Sequence, residues 1–183
     1  SVDLCDLEAT RAVFAQHPDL QGIIHFAALK SVEESVEQPL RYFRNNLNSL
    51  LNVLDLAREF EVPHFIFSSS CSVYGNAAML PVTENTPTTE PESPYARTKQ
   101  MGEGIIRDFS RVAPAMQFVL LRYFNPAGAH ESALIGESPI NTANNLVPVI
   151  TETAIGKREK LIVFGDDYQT RDGSCIRDYI HIM

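Results

Sequence analysis

Gly22-Ile23-Ile24-His25-Phe26-Ala27-Ala28 is an apolar run without polar alternation. A strand reads this way when both its faces are buried, as in a parallel sheet flanked by helices. His17-Pro18-Asp19 separates the run from Glu8 to Gln16, where Ala9, Ala12, Val13 and Ala15 have helical spacing. Downstream, Leu40, Phe43, Leu47, Leu50, Leu51, Leu54 and Ala57 recur at three- and four-residue steps. Residues 39 to 60 are therefore predicted to form a long amphipathic helix with Pro39 in its first turn. Phe65-Ile66-Phe67 predicts a second buried strand running into Ser68-Ser69-Ser70. Residues 77 to 94, rich in Pro, Thr and Glu without a period, predict a loop. Pro94-Tyr95 opens a helix carrying Ile105, Ile106, Phe109 and Val112, and Phe118 to Leu121 predicts a third strand. A polar loop from Asn125 to Asn145, a helix from about Val147 to Ile155 and a strand near Leu161 to Phe164 follow.

This alternation predicts an α/β fold with a doubly wound parallel sheet. Ligands of such sheets bind beyond the carboxyl ends of the strands. The clusters Ala27 to Ser31, Ser68 to Tyr74 and Tyr123 to Gly128 each follow a predicted strand, which places a site on that rim. The loop at 125 to 145 is longer than ordinary connections and is expected to be functional.

With 183 residues and 44% apolar content, the chain is long enough for one well-cored domain. A net charge of −8 argues against a nucleic acid partner. The apolar runs are too short to span a bilayer. Cys5, Cys71 and Cys175 form neither a disulfide framework nor a CxxC metal site, so a reducing, cytoplasmic setting is expected. The chain opens on Ser1-Val2-Asp3-Leu4, which reads as a strand tail, and stops within Arg177 to Met183, a β-like run. These ends read as those of an internal fragment, truncated on both sides.

Tyr95-Ala96-Arg97-Thr98-Lys99 places a phenol and an ammonium four residues apart at the start of a helix, hence on one face. A nearby cation favours the phenolate and so lowers the phenol's pKa, which makes it a usable base near neutrality. A solvated helix face accounts for the same spacing. Ser68-Ser69-Ser70, about twenty-five residues earlier at a strand's carboxyl end, adds a hydroxyl able to share a substrate hydroxyl's hydrogen bonds. One such serine fits a turn cap; three followed by Cys71-Ser72-Val73-Tyr74-Gly75 exceed what a cap requires.

Ser70, Tyr95 and Lys99 resemble the Ser-Tyr-Lys triad of the short-chain dehydrogenase/reductase superfamily. Longer strings resemble its extended branch, the UDP-glucose 4-epimerase family in particular: Ile24 to Lys30, Phe65 to Ser70 with Val73-Tyr74-Gly75, Ser93-Pro94-Tyr95, Leu120 to Pro126 with Gly128-Ala129-His130, Asn144 to Pro148, and Arg177 to His181. The likeness spans essentially the whole chain. It implies a Rossmann-like NAD-binding domain over residues 1–123 and the start of a substrate-binding region over 124–183. By resemblance, Tyr95 removes the 4-hydroxyl proton of a UDP-hexose while NAD accepts the C4 hydride, Ser70 hydrogen-bonds O4, and Lys99 holds the nicotinamide ribose. The implied NAD contacts are Asp6 and Leu7, Phe26, Ala27, Ala28 and Lys30, Asn45, Ser70, Tyr95, Lys99 and Phe124. The implied UDP-hexose contacts are Ser70, Tyr95, Asn125, Asn145, Leu146, Ile162, Val163, Phe164 and Arg177, the last as a diphosphate clamp.

Polar residues such as Asn45 and Asn46 inside an amphipathic helix ordinarily face water, and Lys30 fits an ordinary exposed charge. For Arg177 the plain alternative is an ion pair with Asp178 or Asp172. His25, His130 and His181 lie in family strings whose chemistry uses none of them, so they read as structural and no metal is expected. The family's G-x-x-G-x-x-G turn, which cradles the pyrophosphate, has no counterpart here. The 183-residue polypeptide alone is accordingly expected neither to fold robustly nor to turn over. Sugar-nucleotide dehydratases of this branch carry an acid just after the triad hydroxyl; here Cys71-Ser72 follows Ser70. A UDP-glucuronate decarboxylase, a UDP-N-acetylhexosamine 4-epimerase and a non-catalytic relative remain alternatives. Residues 39 to 60 and 94 to 112 resemble helices that pair across a homodimer in the family.

Overall fold

The computed structural model describes residues 1–139 and 142–183. They divide into two compact units, Ser1–Tyr123 and Phe124–Met183.

The first unit opens with turn and coil rather than the expected strand tail, because residues 1–4 have no neighbouring strand to pair with. Helix α1 spans Leu7–Gln16, and Asp6 caps it by accepting the Ala9 N–H at 3.0 Å. Strand β1 is Ile23–His25, shorter than the apolar run; Phe26, Ala27 and Ala28 already belong to the following loop. A helix that periodicity did not reveal, α2, spans Val32–Glu37, with Ser31 accepting the Glu34 N–H as its cap. Pro39 has no N–H to continue that helix but suits the first turn of the next, so α3 begins there and runs Pro39–Glu59.

Strand β2, His64–Ser70, follows. Pro94 and the cap Ser93 start α4, Pro94–Ser110, and β3 is Gln117–Tyr123. The sheet order is β1-β2-β3, every pair parallel, with Ile23 opposite Phe65 and Ser70 opposite Tyr123. The carboxyl ends therefore share one edge. The parallel α/β reading stands.

Side chains alternate across β2. Phe65, Phe67 and Ser69 turn inward, where Leu50, Val53, Leu54, Leu56 and Ala57 of α3 and Ile106 of α4 meet them in one core. Each such large apolar side chain contributes about 1.5–3 kcal/mol by leaving water. On the opposite face Ile24, Val119 and Leu121 are exposed.

The second unit holds β4, Asn125–Ala127, paired in parallel with β5, Tyr179–His181, and helix α5, Leu146–Ala154. The predicted 125–145 loop thus begins with a short strand, and residues 140 and 141 of it lie outside the described residues. The strand expected near Leu161 to Phe164 does not form. The segment is unpaired and Phe164 is 97% exposed. An extended segment becomes a strand only when a neighbour satisfies its N–H and C=O groups.

Helix α4 packs closely on β2 at Gly102, where an added Cβ would lie 2.7 Å from Cζ of Phe67. At Gly104, one turn's fraction further on, a Cβ would meet nothing within 4 Å. Gly102→Ala is expected to destabilise the protein by about 1–3 kcal/mol through overpacking. Gly104→Ala is expected to stabilise it by about 0.5–1 kcal/mol by removing a helix glycine. Urea unfolding of the two variants beside wild type checks both signs.

Candidate active site

Three triad residues converge at the carboxyl edge of the sheet. Ser70 ends β2 and caps a 3-10 turn, Cys71–Tyr74; its Oγ accepts from the Ser72 N–H at 3.2 Å and the Ser72 hydroxyl at 2.9 Å. Tyr95 stands in the first turn of α4, directly after Pro94, and Lys99 one turn later on the same face. The Ser70 hydroxyl is near enough to the Tyr95 phenol to act on it, favouring its ionised form.

Lys99 is 4% exposed. Its Nζ donates to the Ser68 carbonyl at 2.6 Å and lies 5.0 Å from the Phe67 ring centroid and 5.9 Å from that of Tyr95. Burial pulls the Lys99 pKa down to about 8, because the charged form loses more hydration than these contacts return. The expectation that Lys99 depresses the Tyr95 pKa is corrected. Burial pushes the Tyr95 phenol above its ordinary value, the Ser70 hydroxyl works in the opposite direction, and Cys71 adds to the rise. The ammonium is committed to the Ser68 carbonyl and sits over the Tyr95 ring, so desolvation dominates at the phenol.

Beside β1, a cavity of about 270 Å³ is lined by Asp3, Leu4, Ala27, Ala28, Asn45 and Ser49 among others. It gathers three of the expected cofactor residues, Ala27, Ala28 and Asn45. Asp6 and Leu7, expected on the adenine side of NAD, do not line this cavity. The Asp6 carboxylate caps α1, Leu7 packs against the core, and Asp3 and Leu4 line the cavity instead. An aspartate immediately before a helical run is the ordinary N-cap signature, and that signal distinguishes Asp6 from Asp3. Phe26 is exposed, its ring 6.0 Å from that of Tyr123, and Lys30 is exposed.

Asn46 does not face water. It is buried, its Oδ1 accepts the Leu29 N–H at 2.8 Å, and its Nδ2 donates to the Leu29 carbonyl at 3.0 Å and to Thr98 Oγ1 at 3.1 Å. One amide thereby holds the loop carrying Ala27 and Ala28 against α3 and α4. Its place on the Tyr42, Asn46, Leu50, Val53 stripe of α3, at helical steps, is the sequence signal for that burial.

His25 is buried on β1 with the rings of Phe65 and Phe67 stacked 6.0 and 6.1 Å away. Burial, helped by the Lys99 charge, lowers its pKa from 6.5 to about 4.

In the second unit, Asn125 Nδ2 donates to the Asp178 carbonyl at 2.7 Å, across β4 and β5. Asn145 precedes α5 and its Nδ2 donates to Glu137 at 3.1 Å, with Leu146 beginning the helix. Phe124 is half-buried, whereas Leu146, Ile162, Val163 and Arg177 are exposed. Among the described residues Arg177 makes no ion pair, so neither Asp178 nor Asp172 neutralises it; the Asp172 carboxylate accepts from Ser174.

The sequence profile of the GDP-mannose 4,6 dehydratase family matches residues 1–183. The chain belongs to this family. The UDP-glucose 4-epimerase of Erwinia amylovora is 48% identical over 181 residues, which are 99% of this chain and 53% of that protein. The UDP-glucose 4-epimerase of Mus musculus is 47% identical over 182 residues, 100% of this chain and 52% of that protein. The crystal structure of UDP-glucose 4-epimerase from Bifidobacterium longum in complex with NAD+ and UDP superposes with a TM-score of 0.93 at 45% identity, covering 99% of this chain and 54% of that one. The chain spans about half the length of the curated relatives it matches.

A neutral buried His25 ties folding stability to acid. The unfolded chain takes up a proton near pH 6.5 that the folded chain refuses until about pH 4, so this contribution is full above 6.5 and is lost as pH falls toward 4. The loss amounts to about 3 kcal/mol at the acid end. Urea midpoints measured between pH 7 and pH 4.5 are expected to fall less steeply in His25→Gln than in wild type; parallel curves contradict the assignment.

Proposed function

We propose that the protein carrying this chain is an NAD-dependent UDP-glucose 4-epimerase that interconverts UDP-glucose and UDP-galactose. The observation that carries this reading is the convergence of Ser70, at the end of β2, with Tyr95 in the first turn of α4 at the carboxyl edge of a parallel sheet, and Lys99 buried one turn along. Tyr95, as its phenolate, would take a proton from a sugar hydroxyl and return it as the phenol, while Ser70 holds that oxygen in line. NAD supplies the hydride acceptor and donor at C4, so the cycle has no net oxidation. Burial alone favours the protonated phenol; the positive nicotinamide ring of bound NAD would favour the phenolate that the first step needs.

The cavity beside β1 fits the dinucleotide. Ala27 and Ala28 are small enough to let a ligand approach the backbone, and Asp3 and Asn45 offer an acceptor and a donor for hydroxyls. Asn125, Asn145, Leu146, Phe164 and Arg177 are the residues we assign to the UDP-sugar, with Ile162 and Val163 beside the base. The guanidinium of Arg177, without an ion pair among the described residues, is suited to two diphosphate oxygens at once. Absence of an acid directly after Ser70 favours epimerisation over the dehydration in the family's name.

Exposed Leu40 and Leu51 on α3 and Met101 on α4 support pairing of two copies through these helices. No described helix is long and apolar enough to cross a membrane, and Cys5, Cys71 and Cys175 are thiols, which suits a reducing cytoplasm.

Incubating the intact protein with UDP-galactose and with UDP-N-acetylgalactosamine tests the activity and its substrate range. Tyr95→Phe is expected to lower kcat by about 10²–10⁴-fold with little change in KM, the usual range for losing a proton-transfer group. Undiminished turnover in that variant sinks the reading.

A further inference from the structure

Glu103 stands on α4 one turn after Lys99 and two after Tyr95, so the three share a helix face. Its side chain is 1% exposed, yet it is not an apolar packing residue. Arg122 donates from Nε to Oε1 at 2.9 Å and from Nη2 to Oε2 at 2.8 Å, a bidentate pair. Arg107 Nη2 adds a bond to Oε2 at 2.9 Å, and the Ser69 hydroxyl one to Oε1 at 2.6 Å. Burial alone would push the carboxyl's pKa up; Arg122, Ser69 and Arg107 together hold it below the ordinary value.

The donors' positions matter more than their number. Ser69 and Arg122 are register partners on β2 and β3, and each immediately precedes the last residue of its strand, Ser70 and Tyr123. The Arg122 guanidinium also lies 4.8 Å from the Tyr74 ring centroid, in the 3-10 turn that Ser70 caps. One carboxylate thus joins the helix that bears Tyr95 and Lys99 to both strand ends and to the turn beside Ser70. A buried ion pair is a weak source of stability, since desolvation offsets the attraction, and an apolar side chain of similar volume serves a core as well. What a fully satisfied charged network adds is directional constraint.

We propose that Glu103 is a positioning residue: through Ser69 and Arg122 it sets the Ser70 hydroxyl against the Tyr95 phenol. This rests on the reading of Ser70 and Tyr95 as the proton-handling pair. A misplacement of about 1 Å at a reacting pair costs on the order of 100-fold in rate, so a clamp one residue removed from Ser70 has leverage on turnover.

Glu103→Gln keeps the shape and removes the charge. Ser69→Ala cuts the tie to β2 alone, leaves both arginines paired and buries no orphan charge, so it reports even where Glu103→Gln folds poorly. Both are made in the intact protein and read in three ways: kcat and KM with UDP-galactose, thermal midpoint, and the 13Cζ resonance of labelled Tyr95, assigned with Tyr95→Phe. The expected results are a kcat loss of about 10–100-fold for Glu103→Gln and about 3–10-fold for Ser69→Ala, with KM within about twofold. The thermal midpoint of Ser69→Ala stays near wild type, Ser69→Thr recovers turnover, and the Tyr95 resonance moves in both Glu103→Gln and Ser69→Ala. A lowered thermal midpoint with wild-type kcat per folded molecule and an unmoved Tyr95 resonance would overturn the proposal and leave Glu103 a structural residue. Should wild type fail to interconvert the sugars, the proposed function falls, and the Tyr95 resonance still decides for or against the clamp.

Discussion

Gly102 lets α4 settle against the Phe67 ring at a distance that a side chain on the helix would forbid. That approach sets the height of the helix over β2 and thereby the separation of Tyr95 and Lys99 from the serines at the strand's end. Ser93 and Pro94 start the helix where its first turn overhangs the sheet edge, and parallel pairing puts the other strand ends at the same edge. Ser69 and Ser70 lie on opposite faces of β2, and a slip of one residue would exchange their faces, since side chains alternate along a strand.

Electrostatics at this edge are governed by burial. Lys99 is held with one carbonyl and two aromatic faces around it, and its proton becomes easy to lose. The nearby imidazole of His25 stays neutral for the same reason, with the ammonium's charge as a second cause. Tyr95 responds in the opposite sense because its charged form is an anion, and desolvation penalises whichever form is charged. A single low-dielectric environment thus moves the lysine down and the tyrosine up, bringing each toward its neutral state.

The backbone groups of the loop after β1 are satisfied by a side chain rather than by another strand. Asn46 supplies both an acceptor and a donor to Leu29, which is the pairing an adjacent strand would provide. The small residues Ala27 and Ala28 are thereby presented to the cavity from a fixed loop, and the third bond of that amide, to Thr98, runs to the helix that bears Tyr95 and Lys99. Cavity wall and proton-handling residues share one polar anchor.

Helical periodicity and cap chemistry are local properties, so the sequence alone determined α1, α3 and α4 and the Tyr95–Lys99 spacing. Strand cores at Ile23, Phe65 and Phe118 were legible for the same reason. Tertiary structure decided what depends on partners far along the chain. Apolar residues at Leu161 to Phe164 look like a strand until the missing neighbour is seen, and Asn46 looks solvated until Leu29 and Thr98 close around it. The sign of the Tyr95 shift belongs to the same class, because desolvation depends on how many atoms surround a group and not on which residue lies four positions away.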